Sequence, residues 1–157
     1  MIQPETLMEL AIEKCREGIE AGQTPFGCAI ARGGDLLAVA HNTVLAATDI
    51  TAHAEITALR IACRSAGDIS LESAVVATTC EPCPMCMAAL HWSRVEVVYY
   101  GATIADATSA GFNELSISAP ELVRLGSSPV RLVPDLQTDA CRALFDHWRA
   151  RGDRRTY

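Results

Sequence analysis

Apolar residues recur at helical spacing in some parts of the chain and form short continuous runs in others. Residues 4–21 show the helical pattern and are followed by Gly22, so they predict an amphipathic first helix. Residues 28–31 and 36–40 are mainly apolar, and the sequence RGGD at residues 32–35 is typical of a hairpin turn. We therefore expect two antiparallel strands after the first helix.

From residue 52 onwards, predicted helices and strands alternate. The expected elements are a helix at 52–66, a strand at 74–79, a helix that begins at Pro84, a strand at 95–100, an edge strand at 130–133 and a final helix at 136–151. Alternation of this kind favours an α/β fold, and specifically a three-layer α/β/α sandwich with a central mixed sheet of about five strands. The later strands are expected to be parallel.

Composition agrees with one enzyme-sized domain. The chain has 157 residues, 50% of them hydrophobic, which is enough to bury one core, so we expect a single domain over residues 1–157. Seven cysteines indicate a reducing compartment. Residues 1–13 contain three glutamates, which a secretory signal would lack, so we expect a cytoplasmic protein. No apolar run approaches the roughly 20 residues that span a bilayer, so no membrane partner is expected.

Two short motifs carry the candidate chemistry. His53 is followed by Ala54 and Glu55, and Cys83 and Cys86 lie in the sequence PCPMC at residues 82–86. One histidine and two cysteines supply three zinc ligands, while a structural zinc site uses four. A catalytic site leaves the fourth position to water and keeps a general acid/base nearby, the role we expect for Glu55. Because Cys83 and Cys86 are three residues apart at a predicted helix start, they share one face of that helix.

The spacing of these cysteines also allows other interpretations. Cys80, Cys83 and Cys86 have the spacing with which an iron–sulfur run begins, but the fourth cysteine of such a run is missing because position 90 is leucine. A thioredoxin-like pair would leave His53 and Glu55 without a role. A closed structural site with Cys80 as fourth ligand, in a zinc-binding module without catalysis, stays open as the alternative from a different class.

The motifs resemble a known family. The sequence TPFG at residues 24–27, Asn42, TAHAE at 51–55, CEPCPMC at 80–86 and AGF at 110–112 are similar in order and spacing to the cytidine deaminase-like superfamily, and within it to the small bacterial guanine deaminases. The resemblance implies one zinc ion per subunit and hydrolysis of guanine to xanthine and ammonia in purine catabolism. It also implies a homodimer in which residues 136–157 contribute to the site, either within their own subunit or by exchange between subunits.

The implied mechanism uses the zinc site and Glu55. Zinc held by the histidine and the two cysteines lowers the pKa of its bound water and so provides hydroxide near neutral pH. Glu55 receives the proton, delivers it to the ring nitrogen next to the attacked carbon, and then helps the amine to leave as ammonia.

Several residues are expected to bind the base. The resemblance implies that Asn42 forms hydrogen bonds with the purine, although a turn asparagine is the structural alternative. The backbone N–H of Ala54 is a candidate donor to a ring carbonyl. Phe26 and Trp92 are candidates for stacking on the base, and each is otherwise a core aromatic residue.

The resemblance also points to two residues late in the chain. After Gly111 and Phe112, the bacterial guanine deaminases carry acidic residues, of which the second aligns with Glu114 while Asn113 replaces the first. Glu114 would accept hydrogen bonds from guanine or assist proton transfer to the leaving amine. Tyr157 resembles a tyrosine near the carboxyl end that reaches the base from its own or a partner subunit.

The main alternative within the enzyme class is a tRNA adenosine deaminase. A net charge of −6 opposes a polyanionic partner, although four arginines lie within residues 149–155. Nucleic acid is therefore not the expected partner, and a small nucleobase is. Deaminases of cytosine, cytidine or aminotriazines would use the same chemistry and stay open as further alternatives.

Overall fold

The computed structural model describes residues 2–157 and centres on one mixed sheet of five strands. In chain order the strands are β1 (Gly27–Arg32), β2 (Asp35–His41), β3 (Ala74–Cys80), β4 (Val97–Ala102) and β5 (Arg131–Val133). Their order across the sheet is β2-β1-β3-β4-β5. β1 is antiparallel to β2 and β3, whereas β4 is parallel to β3 and β5. The predicted mixed sheet is confirmed.

Helices cover both faces of this sheet. On one face, α1 (Pro4–Glu20) and α7 (Thr138–Arg149) pack together around Leu7, Leu144 and Trp148, all buried. On the other face, α3 (Ala54–Ala66) and α4 (Pro84–Trp92) pack around Leu59 and Leu90. The predicted three-layer α/β/α sandwich is therefore confirmed. The helices are α1 (Pro4–Glu20), α2 (Val44–Ala47), α3 (Ala54–Ala66), α4 (Pro84–Trp92), α5 (Ile104–Ser109), α6 (Ala119–Leu125) and α7 (Thr138–Arg149).

Strand β3 connects the two cores and leads into the candidate site. Its alternating side chains point to opposite faces, so that Ala77 joins the α1–α7 core and Val76 joins the α3–α4 core. Because β3 and β4 are parallel, the chain crosses between them through α4. The start of α4 therefore lies beyond the carboxyl end of β3, which is where open α/β sheets bind ligands.

Some elements differ from the prediction. The short helices α2, α5 and α6 were not predicted, because four to seven residues are too few for a helical period to stand out. The strand predicted at 95–100 is found at Val97–Ala102, and the final helix is Thr138–Arg149. Helix α3 begins at Ala54 rather than residue 52, since His53 is extended, with φ −61° and ψ 160°.

The carboxyl-terminal segment, residues 136–157, packs against its own chain. Phe145 and Trp148 of α7 are buried in the core shared with α1. Beyond the helix, the Arg151 guanidinium lies 3.3 Å from the Glu20 carboxylate at the end of α1 and 3.0 Å from that of Asp153. These contacts place the segment in cis, and its exchange between subunits stays a prediction. Among residues 2–157, no helix is both long and apolar enough to cross a membrane.

Candidate active site

Two helix starts meet at the predicted zinc ligands. His53 is the residue that precedes α3, and Cys83 is the residue that precedes α4, with Cys86 in the first turn of α4. The His53 Nδ1 atom lies 3.7 Å from the Cys83 sulfur and 3.6 Å from the Cys86 sulfur. All three ligand atoms lie within 4.8 Å of one another. Residues distant in sequence are thus brought to one point.

This geometry fits zinc. With Zn–S bonds of about 2.3 Å and Zn–N bonds of about 2.0 Å, tetrahedral angles separate a sulfur from a nitrogen by about 3.5 Å, close to the distances found. The hydrogen bond from Cys86 lowers the pKa of the Cys83 thiol to about 4. Burial acts in the opposite direction, and His53 lowers the pKa further. Cys83 is thus a thiolate, the form that binds metal, and a nitrogen with two sulfurs is a donor set that zinc prefers.

Cys80 is not part of this ligand group. Its sulfur lies 3.4 Å from the Thr103 carbonyl oxygen, to which the thiol donates. Among residues 2–157, the metal-ligand group consists of His53, Cys83 and Cys86. The closed site with four protein ligands is therefore not formed, and three ligands leave one tetrahedral position for water, as in catalytic zinc sites.

Glu55 lies beside the ligands without joining them. Its side chain is buried, and its Oε1 atom accepts a hydrogen bond of 3.0 Å from the Thr78 hydroxyl on β3. Burial raises the pKa of the Glu55 carboxyl, and the nearby Cys83 thiolate raises it further. A buried carboxyl with a raised pKa, held in place by Thr78, takes up a proton more readily than an exposed one, as a general acid/base requires.

An open cleft gives access to these groups. Its volume is about 320 Å³, within the usual range for small-molecule sites. His53 and Cys83 lie on one side, Phe112 and Glu114 on another, and Tyr157 closes part of the wall. A smaller inner cavity continues to Glu55 and Phe26. The cleft is thus largely apolar with a few polar groups directed at its base.

Glu114 lies where the resemblance placed it. Its side chain is half-buried and lines both the outer cleft and the inner cavity. Burial and the Cys83 thiolate raise the pKa of the Glu114 carboxyl from 4.5 to about 7, although His53 acts in the opposite direction. The cleft therefore holds a second carboxyl able to carry a proton near neutral pH.

Tyr157 reaches the site from the end of the same chain. Its ring centroid lies 5.4 Å from that of Phe112 and 5.7 Å from that of His53. Its hydroxyl accepts a hydrogen bond of 2.6 Å from the Asn42 amide and lies 3.2 Å from the Thr24 hydroxyl. Burial raises the pKa of the Tyr157 phenol, so the hydroxyl stays protonated.

Asn42 has the role of a turn asparagine and is also bonded to a residue of the cleft wall. The side chain is buried, and its Oδ1 atom accepts a hydrogen bond of 3.0 Å from the Val44 backbone, as a turn asparagine does. Its Nδ2 atom donates to Tyr157. In this arrangement Asn42 is connected to the cleft through the tyrosine hydroxyl, and direct contact with a base stays a prediction.

The two predicted stacking residues have different positions. Phe26 lines the inner cavity, and its ring lies 5.0 Å from that of Phe112 and 5.8 Å from that of Phe145. Trp92 is not brought to the site, because it is the last residue of α4, whereas the zinc ligands are at the first turn. Along the helix axis, Trp92 lies about 13 Å from Cys83 and about 9 Å from Cys86, and its side chain is 82% exposed. The assignment of Trp92 to the site is wrong.

The predicted backbone donor, Ala54, lies next to the zinc ligands, and its contact with a base stays a prediction. Ala54 is buried and is the first residue of α3, directly after the ligand His53. N–H groups in the first turn of a helix have no hydrogen-bond partner within that helix, so the Ala54 N–H has none within α3. It lies at the positive end of the helix dipole, which favours an oxygen acceptor.

Sequence reasoning did not identify Thr78 or Glu81. The Thr78 side chain on β3 holds Glu55, and the buried Glu81 carboxylate accepts hydrogen bonds from the Ile104 and Ala119 backbones. Glu81 lies inside the CEPCPMC motif, and its position there was the only available signal. Its partners are 23 and 38 residues away, so their identity requires the fold.

Comparison with known proteins agrees with this site. Residues 1–102 match the cytidine and deoxycytidylate deaminase zinc-binding region. Guanine deaminase from Bacillus subtilis is 36% identical over 98% of this chain and 98% of its own length. A tRNA-specific adenosine deaminase from Agrobacterium fabrum is 39% identical, but over only 60% of this chain and 62% of its own.

A solved structure gives the same result. The structure of guanine deaminase from Nitrosomonas europaea superposes with a TM-score of 0.86 at 28% identity, covering 96% of this chain and 87% of that one. This structural match and the match to the Bacillus subtilis enzyme both extend well beyond the zinc-binding region at residues 1–102. The chain therefore belongs to the cytidine deaminase-like family of zinc-dependent hydrolytic nucleobase deaminases.

Proposed function

We propose that the protein converts guanine and water to xanthine and ammonia. One observation carries the proposal: the walls of the cleft opposite the zinc ligands come from residues beyond 102, which supply Phe112, Glu114 and Tyr157. The match to guanine deaminase covers 98% of the chain and so includes most of that part. The match to the tRNA-specific enzyme leaves 40% of the chain uncovered, which does not favour that alternative.

His53, Cys83 and Cys86 would hold the catalytic zinc ion. When bound, zinc lowers the pKa of a coordinated water molecule to about 7 and so supplies a hydroxide nucleophile at neutral pH. The chain holds its ligands ready, since the histidine nitrogen is within 3.7 Å of both sulfurs. Both cysteines lie at the start of α4, where the helix dipole favours thiolates.

Glu55 would carry the proton between the two reactants. It takes the proton from the attacking water and gives it to the guanine ring nitrogen next to C2, so that the C2–O bond forms as that nitrogen is protonated. The bond between C2 and the exocyclic amine then breaks as the proton of the added hydroxyl is transferred to that amine, which releases ammonia and leaves a carbonyl oxygen on C2. Burial and the hydrogen bond from Thr78 keep the carboxyl in place for both transfers.

Glu114 would serve the leaving amine. Its side chain lines both the outer cleft and the inner cavity, where the carboxylate can accept from the guanine N–H edge, and burial, which raises the pKa of the carboxyl, favours the protonated form that donates to the departing nitrogen. The two carboxyls divide the proton transfers: Glu55 acts beside the zinc ligands, and Glu114 on the wall formed by the segment around Phe112.

Binding of the base would use the remaining residues of the cleft. We assign the backbone N–H of Ala54 to the ring carbonyl, Phe26 and Phe112 to the apolar contact with the ring, and the Asn42–Tyr157 pair to the polar edge. The Asn42 amide has a second N–H besides the one given to Tyr157, and this N–H is available to an acceptor on the base.

Further proposals concern the protein as a whole. We infer one domain over residues 1–157 and a homodimer that acts in cytoplasmic purine catabolism. Exchange of residues 136–157 between subunits would deliver Tyr157 to the partner's site in place of its own. Size-exclusion chromatography with light scattering distinguishes a monomer from a dimer.

The experiment that tests the substrate is a panel. Ammonia release by the zinc-loaded protein is measured with guanine, guanosine, adenine, cytosine, cytidine and the aminotriazine ammeline, and with transcribed tRNA. We expect turnover of guanine well above the others. Turnover of another base with none of guanine would refute the substrate while retaining the chemistry, and activity only on tRNA would establish the alternative.

A further inference from the structure

Glu81 is a buried carboxylate that the proposed reaction does not use. It follows β3 directly, and its side chain is only 8% exposed. Both of its oxygens are occupied: Oε2 accepts from the Ile104 backbone at 2.9 Å, and Oε1 accepts from the Ala119 backbone at 2.8 Å. Its own backbone N–H donates to the Ala102 carbonyl at 2.8 Å, which fixes the residue at the end of the sheet.

The two donors lie at the ends of one segment. Ile104 is the first residue of α5, and Ala119 is the first residue of α6. Helix starts have free N–H groups and a positive dipole end, so a single carboxylate between two of them is doubly favoured. Between the two donors are residues 105–118, which supply Phe112 and Glu114 to the cleft.

The middle of this segment has mainly local hydrogen bonds. The Gly111 and Phe112 N–H groups donate to α5, and the Glu114 N–H donates to the Phe112 carbonyl. Its links to the rest of the protein are the packing of the buried Phe112 ring on Phe26, Trp148 and Tyr157 and the bond from the Asn113 N–H to the Tyr157 carbonyl. Phe112 therefore holds the middle of the segment, and the position of Glu114 depends in addition on how the two ends are held.

We propose that Glu81 is a positioning residue that fixes both ends of residues 105–118 and so holds Glu114 against the zinc ligands. The expected effect on kinetics rests on the proposed function, whereas the expected effect on the structure rests on the hydrogen bonds alone. A carboxylate suits this position because it offers two acceptor oxygens. Glutamine would keep one acceptor and turn an N–H₂ group towards the other backbone donor.

The expected kinetic signature follows from populations. If Glu81→Gln lets the segment leave its position for part of the time, only the remaining fraction of molecules binds guanine well, and the apparent affinity falls by that fraction. Saturating guanine selects the ordered form and restores the rate. The KM should therefore rise while kcat is nearly kept, whereas Glu114→Gln should lower kcat because it removes a reacting group.

The first test is steady-state kinetics with guanine on zinc-loaded Glu81→Gln. Loss of a hydrogen bond to a charged group gives an expected rise in KM of about tenfold or more, with kcat within about threefold of the wild type and full zinc content. Asp106→Asn is the matched control, because Asp106 accepts from the Thr103 N–H at 2.9 Å and from the Arg142 guanidinium at 3.1 Å, and so supports the start of α5 without contacting Ala119. An unchanged KM, a fall in kcat alone, or loss of zinc would overturn the proposal.

The second test does not depend on the substrate. Amide hydrogen exchange is measured on the zinc-loaded wild type, Glu81→Gln and Asp106→Asn. We expect Glu81→Gln to speed exchange at Ile104, at Ala119 and across residues 110–118, and Asp106→Asn to affect only the start of α5. Equal exchange across residues 110–119 in the wild type and Glu81→Gln would refute the positioning role, whether or not guanine proves to be the substrate.

Discussion

Glu114→Gln should stabilise the zinc-free protein at alkaline pH and leave its stability at acidic pH unchanged. The folded protein raises the pKa of this carboxyl from 4.5 to about 7, so between these values the folded state holds a proton that the unfolded chain has lost. Stability from the protonated carboxyl is therefore complete below pH 4.5 and is lost as the pH rises past about 7. Glutamine carries no charge and avoids this loss.

The size of the effect follows from the pKa difference. One pKa unit corresponds to about 1.36 kcal/mol, so the full difference would be about 3.4 kcal/mol. Because Glu114 is only half-buried, solvent screening reduces this value, and we expect a gain of about 1–2 kcal/mol at pH 8. Zinc must be removed for the measurement, since a dication near the carboxylate would lower its pKa.

The assay is urea unfolding of the wild type and Glu114→Gln at pH 5 and pH 8. Glu13→Gln, at an exposed position on α1, is the control for the loss of one carboxylate. The reasoning would be refuted if Glu114→Gln were less stable than the wild type at pH 8, or if its gain were equal at both pH values.

Two further predictions test packing and the wall of the cleft. A Cβ atom at Gly101 would lie 2.7 Å from the Cys141 Cβ and 2.8 Å from the Leu136 carbonyl oxygen. Gly101→Ala should therefore lower the free energy of unfolding by about 1–3 kcal/mol, measured by thermal unfolding. Gly152→Ala is the control and should be nearly neutral, because a Cβ atom there meets nothing within 4 Å. Tyr157→Phe leaves the buried Asn42 amide without its acceptor, which should lower the free energy of unfolding by about 1–3 kcal/mol. In steady-state assays it should also raise the KM for guanine at least about fivefold. An unchanged KM would show that the tyrosine hydroxyl is not part of the binding wall.

The zinc site was predictable because its ligands are marked by local sequence. His53 and the two cysteines lie at predicted helix starts, and the ligand chemistry restricts how they combine. Trp92 shows the limit of the same reasoning: it is close to Cys83 in sequence, but the length of α4 carries it away from the site and leaves it 82% exposed. Proximity in sequence predicts proximity in space only within about one helical turn.

The parts that escaped prediction depend on contacts between distant residues. Glu81 joins the starts of α5 and α6, two helices of six and seven residues whose patterns are too short to recognise. Thr78 meets Glu55 only because the fold brings the carboxyl end of β3 to the start of α3. Tyr157 could be assigned to the site only by resemblance, since nothing local indicates that α7 returns the chain to the cleft.

The central claim is that Glu55 performs proton transfer at a zinc site that hydrolyses guanine. The most direct test measures xanthine formation and zinc content in the wild type and in Glu55→Gln, a substitution that keeps the size and one acceptor oxygen for Thr78. We predict one zinc ion per chain in both proteins and a kcat lowered by about 10²–10⁴ in the variant. A Glu55→Gln protein that binds zinc and keeps a tenth or more of the wild-type rate would contradict the account.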